Sequence, residues 1–225
     1  ASRGGLPFLT ITAALTVAQS GDEVRILPGT YNESGMTVPT GVAIRGQDAQ
    51  SCVITTSTTV STTLFTMSTS TRLEDLTMSL TSSTTGITLT GIVFAGTSTV
   101  TGKLRTLFVT VNNTTTGTAT VYGIRSNGSG VPATSDIQAV RGSTFVATAA
   151  SAVAGTVRAL YADTVNTLYA RDCNFTATTA AGASGVAIET NHTSTVFGMI
   201  SGSVRGTTSD YLQTLGTINL SSVLL

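Results

Sequence analysis

Two kinds of short apolar segment alternate along this chain and recur about every thirty residues. The first kind covers residues 72–80, 103–111, 136–148, 167–178 and 196–207, and the second covers 91–98, 120–128, 156–164 and 185–193. A sandwich of hairpins would place Asn-Gly or Asp-Gly turns between its strands, and the only such pair here is Asn127-Gly128. The sequence therefore predicts an all-β repeat in which the chain coils.

The apolar residues of successive segments align at regular steps. Steps of 30 and 29 residues relate Phe145, Phe175 and Val204. In the other kind of segment, steps of 29, 36 and 29 residues relate Ile92, Val121, Val157 and Val186. Because stacked strands lie ~4.8 Å apart, we predict that Val121, Val157 and Val186 form one inward ladder, with Thr and Ser pointing outward.

The first 46 residues combine a helical pattern with three short strands. Residues Phe8 to Ser20 carry one apolar face, and Gly21 provides a stop for a helix. Between Gly21 and Gly46 the apolar residues alternate in short runs that are closed by Pro or Gly, as in half-buried strands. Further on, the Thr/Ser run between Ile54 and Leu64 predicts an exposed loop.

The same region resembles a known family. The stretch GDEVRILPGTY, preceded by PFLTITAALTVAQS and followed by GVAIRG, is similar to the opening of the pectin-lyase-like right-handed parallel β-helix proteins. The resemblance implies a right-handed, single-stranded parallel β-helix (a solenoid) with an N-terminal amphipathic capping helix. The expected organisation is a single domain over residues 1–225, with the cap in residues 1–21 and the coils in residues 22–225.

Composition narrows the possible partners. Charged residues make up 10% of the chain and the formal net charge is zero, which argues against binding to nucleic acid or to an anionic membrane surface. No apolar run approaches ~18 residues, so no membrane insertion is expected. Cys52 and Cys173 would lie several coils apart, beyond the reach of a disulfide, and we predict buried free thiols.

The catalytic motifs of the family do not transfer to this chain. It has no Asp-Asp pair, no Gly-His-Gly, no Arg-x-Lys and no Trp. The register instead places Asn127, Asp163 and His192 in one column. Asp163 and His192 on neighbouring coils could hold a proton or a metal ion, or the column could be an exposed polar ladder at a corner. His192 is the only histidine, so a multi-histidine metal site is excluded, and we expect no cofactor.

A second column pairs Arg141 with Arg171, next to Asp172. Like charges on neighbouring strands repel, so Asp172 or the surface of a partner is expected to compensate them. The column is either a solvated charge cluster or a contact for an anionic glycan or a protein.

Two further groups of polar and aromatic residues leave alternatives open. Glu74 and Asp75 could form an ion pair with Arg72 or Arg105 across coils, or a Ca²⁺ site. The three tyrosines of the repeat could form a sugar-stacking face or could be isolated surface residues. They are Tyr122, Tyr161 and Tyr169.

A regular solenoid with few charges and without assembled chemistry favours a non-catalytic structural or adhesive protein. We expect it at a virion surface or another extracellular surface, first as a virion component (a capsid-associated protein, fibre or spike) and second as a bacterial surface protein. Its expected partners are other structural proteins or copies of itself, through the apolar C-terminal coil at residues 218–225, and glycans. The alternatives are a polysaccharide lyase or glycoside hydrolase and a glycan-binding module.

Overall fold

The computed structural model describes residues 7–95, 102–127, 137–150, 155–163, 167–180 and 183–224. Inside its strands, the side chains at 95, 127, 137–139, 167, 192–194, 222 and 224 fall outside the description. The described part has one helix, α1 (Ile11–Val17), and is otherwise β-structure. The strands are β1 (Glu23–Ile26), β2 (Gly29–Tyr31), β3 (Met36–Val38), β4 (Ala43–Gly46), β5 (Cys52–Ser57), β6 (Thr62–Met67), β7 (Thr71–Ser82), β8 (Thr88–Ala95), β9 (Gly102–Asn113), β10 (Thr120–Asn127), β11 (Ile137–Arg141), β12 (Thr144–Ala149), β13 (Thr156–Ala162), β14 (Thr167–Thr179), β15 (Ser184–Gly206) and β16 (Ser209–Leu224).

Every pairing between the described strands is parallel, and the pairings form three ladders. The first ladder contains β1, β4, β11 and the opening parts of β7, β9 and β14. The second contains β2, β5, β12 and the later parts of the same long strands. The third contains β3, β6, β8, β10, β13 and the starts of β15 and β16. The later residues of β15 and β16 continue the first and second ladders. The chain visits the ladders in this order on each circuit, which is consistent with the expected parallel β-solenoid.

One column of residues turns the chain from the first ladder into the second. Its members sit at equivalent positions on successive circuits and have positive φ angles between 50° and 56°. This corner column consists of Asp75, Thr106, Gly142, Asp172 and Ser201. Left-handed backbone is easy for Gly and tolerable for Asp, but it is costly for a β-branched residue such as Thr106. The repeat is therefore defined by backbone conformation as well as by apolar periodicity.

The core is continuous across the circuits, and the predicted alignment of the second ladder is confirmed. Phe145 pairs with Phe175, which pairs with Val204, and all three are fully buried. The rings of Phe145 and Phe175 are stacked with their centroids 5.4 Å apart. Stacking of equivalent apolar side chains thus links each circuit to the next.

The predicted alignment of the third ladder is only partly correct. Val121 pairs with Val157 as expected, but Val157 pairs with Gly185, and Val186 pairs with Arg158. Ile92 was also misaligned, since it pairs with Ile124. The physical reason is that Leu89 to Ile92 and Gly185 to Thr190 are both runs of consecutive buried residues, so no alternation marks which of them faces inward.

The helix is shorter than the predicted Phe8–Ser20. Thr10 caps its N-terminus by accepting from the amide of Ala13, and the carboxylate of Glu33 accepts from the amides of Ile11 and Thr12 at 2.7 and 2.8 Å. The predicted apolar face is present, since Ile11, Ala14 and Leu15 are buried and α1 contacts β1 and β3 of the first circuit. At seven residues, α1 is too short to span a membrane, and the described residues contain no longer helix.

Two further expectations concern the cysteines and the predicted Thr/Ser loop. Cys52 and Cys173 are buried free thiols, as predicted, and burial raises the pKa of the Cys173 thiol. The predicted loop between Ile54 and Leu64 is present but shorter, at residues 58–61, because β5 continues to Ser57 and β6 begins at Thr62. Thr56 is buried there, and its hydroxyl donates to the Glu33 carbonyl at 2.7 Å, which satisfies it inside the fold.

Candidate functional site

The outward side chains of the first ladder form a row of arginines. The strands pair in register at the residue that precedes each corner, so one side chain from each circuit lies above that of the last. In order, these residues are Arg25, Arg45, Glu74, Arg105, Arg141 and Arg171. We call the five cations the arginine row. Neighbouring members lie on strands ~4.8 Å apart, so a single strip of the surface carries closely spaced positive charge.

A second outward column lies two residues earlier on the same strands. It adds Arg72 and Lys103, which pair with each other. Within the part of the chain that the structure describes, the strands of this ladder and their corners carry seven Arg and Lys residues, of eleven in the whole sequence, and four carboxylates: Glu23, Glu74, Asp75 and Asp172. The difference between the seven cations and the four carboxylates is an excess of three positive charges on this surface, although the formal net charge of the whole chain is zero.

The carboxylates are distributed unevenly along the arginine row. Glu23 pairs with Arg25 at 2.7 Å, and Asp75 pairs with Arg45 of the previous circuit at 3.1 Å. Among the described residues, Arg105 and Arg141 have no ion-pair partner. The early part of the row is thus largely neutralised, and the uncompensated charge lies between Arg105 and Arg171.

A groove of about 460 Å³ opens beside the last two arginines. Tyr169 is 56% exposed and lies against Gly198 of the next circuit, where an added Cβ atom would stand 2.9 Å from its ring. Ile200, which follows Arg171 in the outward column, is 59% exposed. We call this feature the Tyr169 groove and define it by Arg141, Tyr169, Arg171, Gly198, Ile200 and Asn219. It combines an accessible ring, an aliphatic wall and two guanidinium groups.

The predicted column of Arg141 and Arg171 is present in the structure. The two residues pair in register, and Asp172 lies 3.6 Å from Arg171. Asp172 also accepts a hydrogen bond from the hydroxyl of Ser201 on the next circuit. The expected compensation by Asp172 therefore reaches Arg171. The use of this column as a contact surface stays a prediction.

The predicted pairing of Asp163 with His192 depended on a step of 29 residues. The structure pairs Ala162 with Thr190, so the residue that follows on the next circuit is Asn191. Asn191 donates to Asp163 at 3.1 Å, and the Tyr161 hydroxyl donates to the same carboxylate oxygen at 3.2 Å. The side chains of His192 and Asn127 lie outside the described residues, so any catalytic or metal-binding role of Asp163 with His192 is untested.

The other predicted groups also find partners. Asp75 forms an ion pair across circuits, but with Arg45 and not with Arg72 or Arg105. Tyr122 and Tyr161 stack on each other with centroids 5.4 Å apart, whereas Tyr169 lies on the first ladder. The three tyrosines therefore do not form one face.

Sequence reasoning missed a polar cluster on the third ladder. Arg158 and Glu189 are buried and form an ion pair between adjacent circuits. The guanidinium of Arg125 lies 5.0 Å from the ring centroid of Tyr122, a cation–π contact. The signal available in the sequence was an arginine and a glutamate in neighbouring segments, but the two are not register partners, since Arg158 pairs with Val186 and Glu189 with Tyr161.

The chemistry of this cluster is that of a structural network. Burial, together with the negative charge of Asp163, raises the pKa of Tyr161 to about 12. Such a phenol stays protonated near neutral pH and is a weak general acid. In the described part of the chain, no three His, Cys, Asp or Glu side chains come together as a metal site would require. We therefore place the candidate site at the arginine row and the Tyr169 groove.

Comparison with known proteins gave no match to a protein-family model, to a curated protein or to a solved structure. The functional argument is thus carried by the geometry of this surface.

Proposed function

We propose that this chain is a non-catalytic structural or adhesive solenoid of an exposed surface, such as that of a virion, and that it holds an anionic polymer along the arginine row. The observation that carries the proposal is the concentration of seven of eleven cations on one ladder of a chain with zero net charge. An extended polyanion fits this strip because both have a linear repeat of charge.

The structural half of the proposal is supported by the stacking of the circuits. Each ladder continues in parallel register from one circuit to the next, so stability is shared between neighbours along the whole stack. We further propose that the solenoid is right-handed and pectin-lyase-like, and that α1 caps its first circuit. The burial of Ile11 and Leu15 against β1 and β3 supports the capping role.

The polyanion half is tested by the salt dependence of binding. We expect the protein to bind polyphosphate or dextran sulfate at 50 mM salt, and to release it as the salt concentration rises, because each arginine that binds displaces a counterion. A triple variant with Arg105→Gln, Arg141→Gln and Arg171→Gln should lose at least about tenfold in affinity and should show a shallower salt dependence.

The chain offers a matched control for this experiment. Arg205 is exposed on the second ladder, where it pairs with Thr176, and Arg205→Gln should leave the affinity unchanged. Binding that is equal in the triple variant and the wild type, or absent from the wild type at low salt, would reject the arginine row as a polyanion surface.

A further inference from the structure

We propose that the Tyr169 groove is a subsite for one sugar residue that carries a sulfate or phosphate ester. The sugar ring packs on Tyr169 and its ester group lies between Arg141 and Arg171. This inference rests on the proposed function, because the subsite includes Arg141 and Arg171, the last two members of the arginine row.

The aromatic part of the subsite is built by two circuits. Gly198 occupies the outward position beside Tyr169, and its missing side chain leaves room for the ring to lie against the strand. The exposed ring and the side chain of Ile200 give an apolar surface, onto which the C–H face of a pyranose can pack. Asn219, which pairs with Gly198, supplies an amide that can donate to or accept from sugar hydroxyls.

The charged part of the subsite favours a tetrahedral anion over a carboxylate. Arg141 and Arg171 are register partners, so two guanidinium groups come from strands ~4.8 Å apart. A carboxylate has two oxygens, and a bidentate pair with a single guanidinium engages both of them. A sulfate or phosphate ester has three terminal oxygens, so it can accept from both arginines at once. The contact of Asp172 with Arg171 is long, at 3.6 Å, and Asp172 forms no ion pair with Arg141, so Arg141 can bind the ester.

A sugar also fits this surface better than single-stranded nucleic acid does. Binding of successive bases requires a series of aromatic platforms along the backbone path. Among the described outward residues of the first ladder, Tyr169 is the one aromatic side chain. One platform beside a pair of cations suits one ring with one anionic substituent.

The test compares dextran oligomers that share one backbone. Unmodified, sulfated, phosphorylated and carboxymethylated oligomers of equal length and equal substitution are titrated into the protein by calorimetry. Polyphosphate serves as a polyanion without sugar, and oligothymidylate serves as a nucleic acid. We expect the sulfated or the phosphorylated oligomer to bind more tightly than the carboxymethylated one, and the difference between those two shows which ester the site prefers.

Variants of Tyr169 separate the subsite from the row. Tyr169→Ala should weaken binding of the favoured oligomer by about threefold to tenfold while leaving polyphosphate unaffected, and Tyr169→Phe should retain the affinity. Tyr211→Ala, at an exposed tyrosine of the third ladder, is the matched control. Far-UV circular dichroism confirms that each variant is folded.

The outcomes distinguish the two proposals. Equal binding of the carboxymethylated oligomer, no effect of Tyr169→Ala, or tighter binding of oligothymidylate through Tyr169 would each overturn the subsite. If polyphosphate binding persists in those cases, the arginine row stands without the subsite. If no polyanion binds, both proposals fall.

Discussion

Replacing Glu189 by Gln should destabilise the fold strongly, because it leaves the charge of Arg158 buried without its partner. Arg158 is 6% exposed and Glu189 is 9% exposed. An arginine cannot shed its proton to escape burial. Breaking a buried ion pair costs about 3–5 kcal/mol. Arg158 also donates to the carbonyls of Ser184 and Val157 at 2.7 and 3.0 Å, and these contacts remain, so we expect a loss near ~3 kcal/mol, the lower end of that range.

The assay is urea unfolding followed by circular dichroism, with the free energy extrapolated to water at constant m. The matched control is the double variant Arg158→Met with Glu189→Leu, which replaces both charges by apolar groups of similar size. Such a replacement is close to neutral in other buried pairs, so the double variant should be more stable than Glu189→Gln. The reasoning would be refuted if Glu189→Gln lowered the free energy of unfolding by less than about 1 kcal/mol. It would also be refuted if the double variant lost as much stability as Arg158→Met and Glu189→Leu lose together when each is made alone.

Two other predictions concern the corner column and the third ladder. Thr106 has a φ of 50°, so Thr106→Asn should raise the free energy of unfolding by about 0.5–1 kcal/mol in the same urea assay, and a decrease would contradict the strain argument. The pKa of Tyr161 is raised from 10.0 to about 12 by burial and by Asp163, so the folded state holds this proton more tightly than the unfolded chain does. Stability from this group should be complete below pH 10 and should fall as the pH rises toward 12; Tyr161→Phe should flatten that decline, and an unchanged decline would exclude Tyr161 as its source.

The sequence predicted those features that depend on one well-marked residue per circuit. Phe145 and Phe175 stand alone among small and polar neighbours, so their alignment leaves no choice of register, and the structure confirms it. Arg141 and Arg171 are as easily aligned because each follows a buried aliphatic residue. The apolar face of α1 was likewise visible from its spacing, although Phe8 and Leu9 proved to be exposed and outside the helix.

Other features could not be predicted because different residues serve the same purpose. The corner column uses Asp, Thr, Gly and Ser at one backbone conformation, so no residue type marks it. The arginine row is interrupted by Glu74, and its first members, Arg25 and Arg45, lie in a region whose spacing differs from that of the later repeat. Only the pairing of the strands brings these cations into one line.

Repulsion between neighbouring members of the arginine row destabilises the fold, and this destabilisation bears on the proposed function. Two unit charges 4 Å apart repel by about 1 kcal/mol in water, and more where a surface excludes solvent. Near Arg25 and Arg45 the chain offsets this repulsion with Glu23 and Asp75. Arg105 has Glu74 as its register partner but forms no ion pair with it, and Arg141 has no ion-pair partner among the described residues. A negative charge near Arg141 would reduce this repulsion, so binding of the proposed anionic ligand there should stabilise the fold as well as occupy the site.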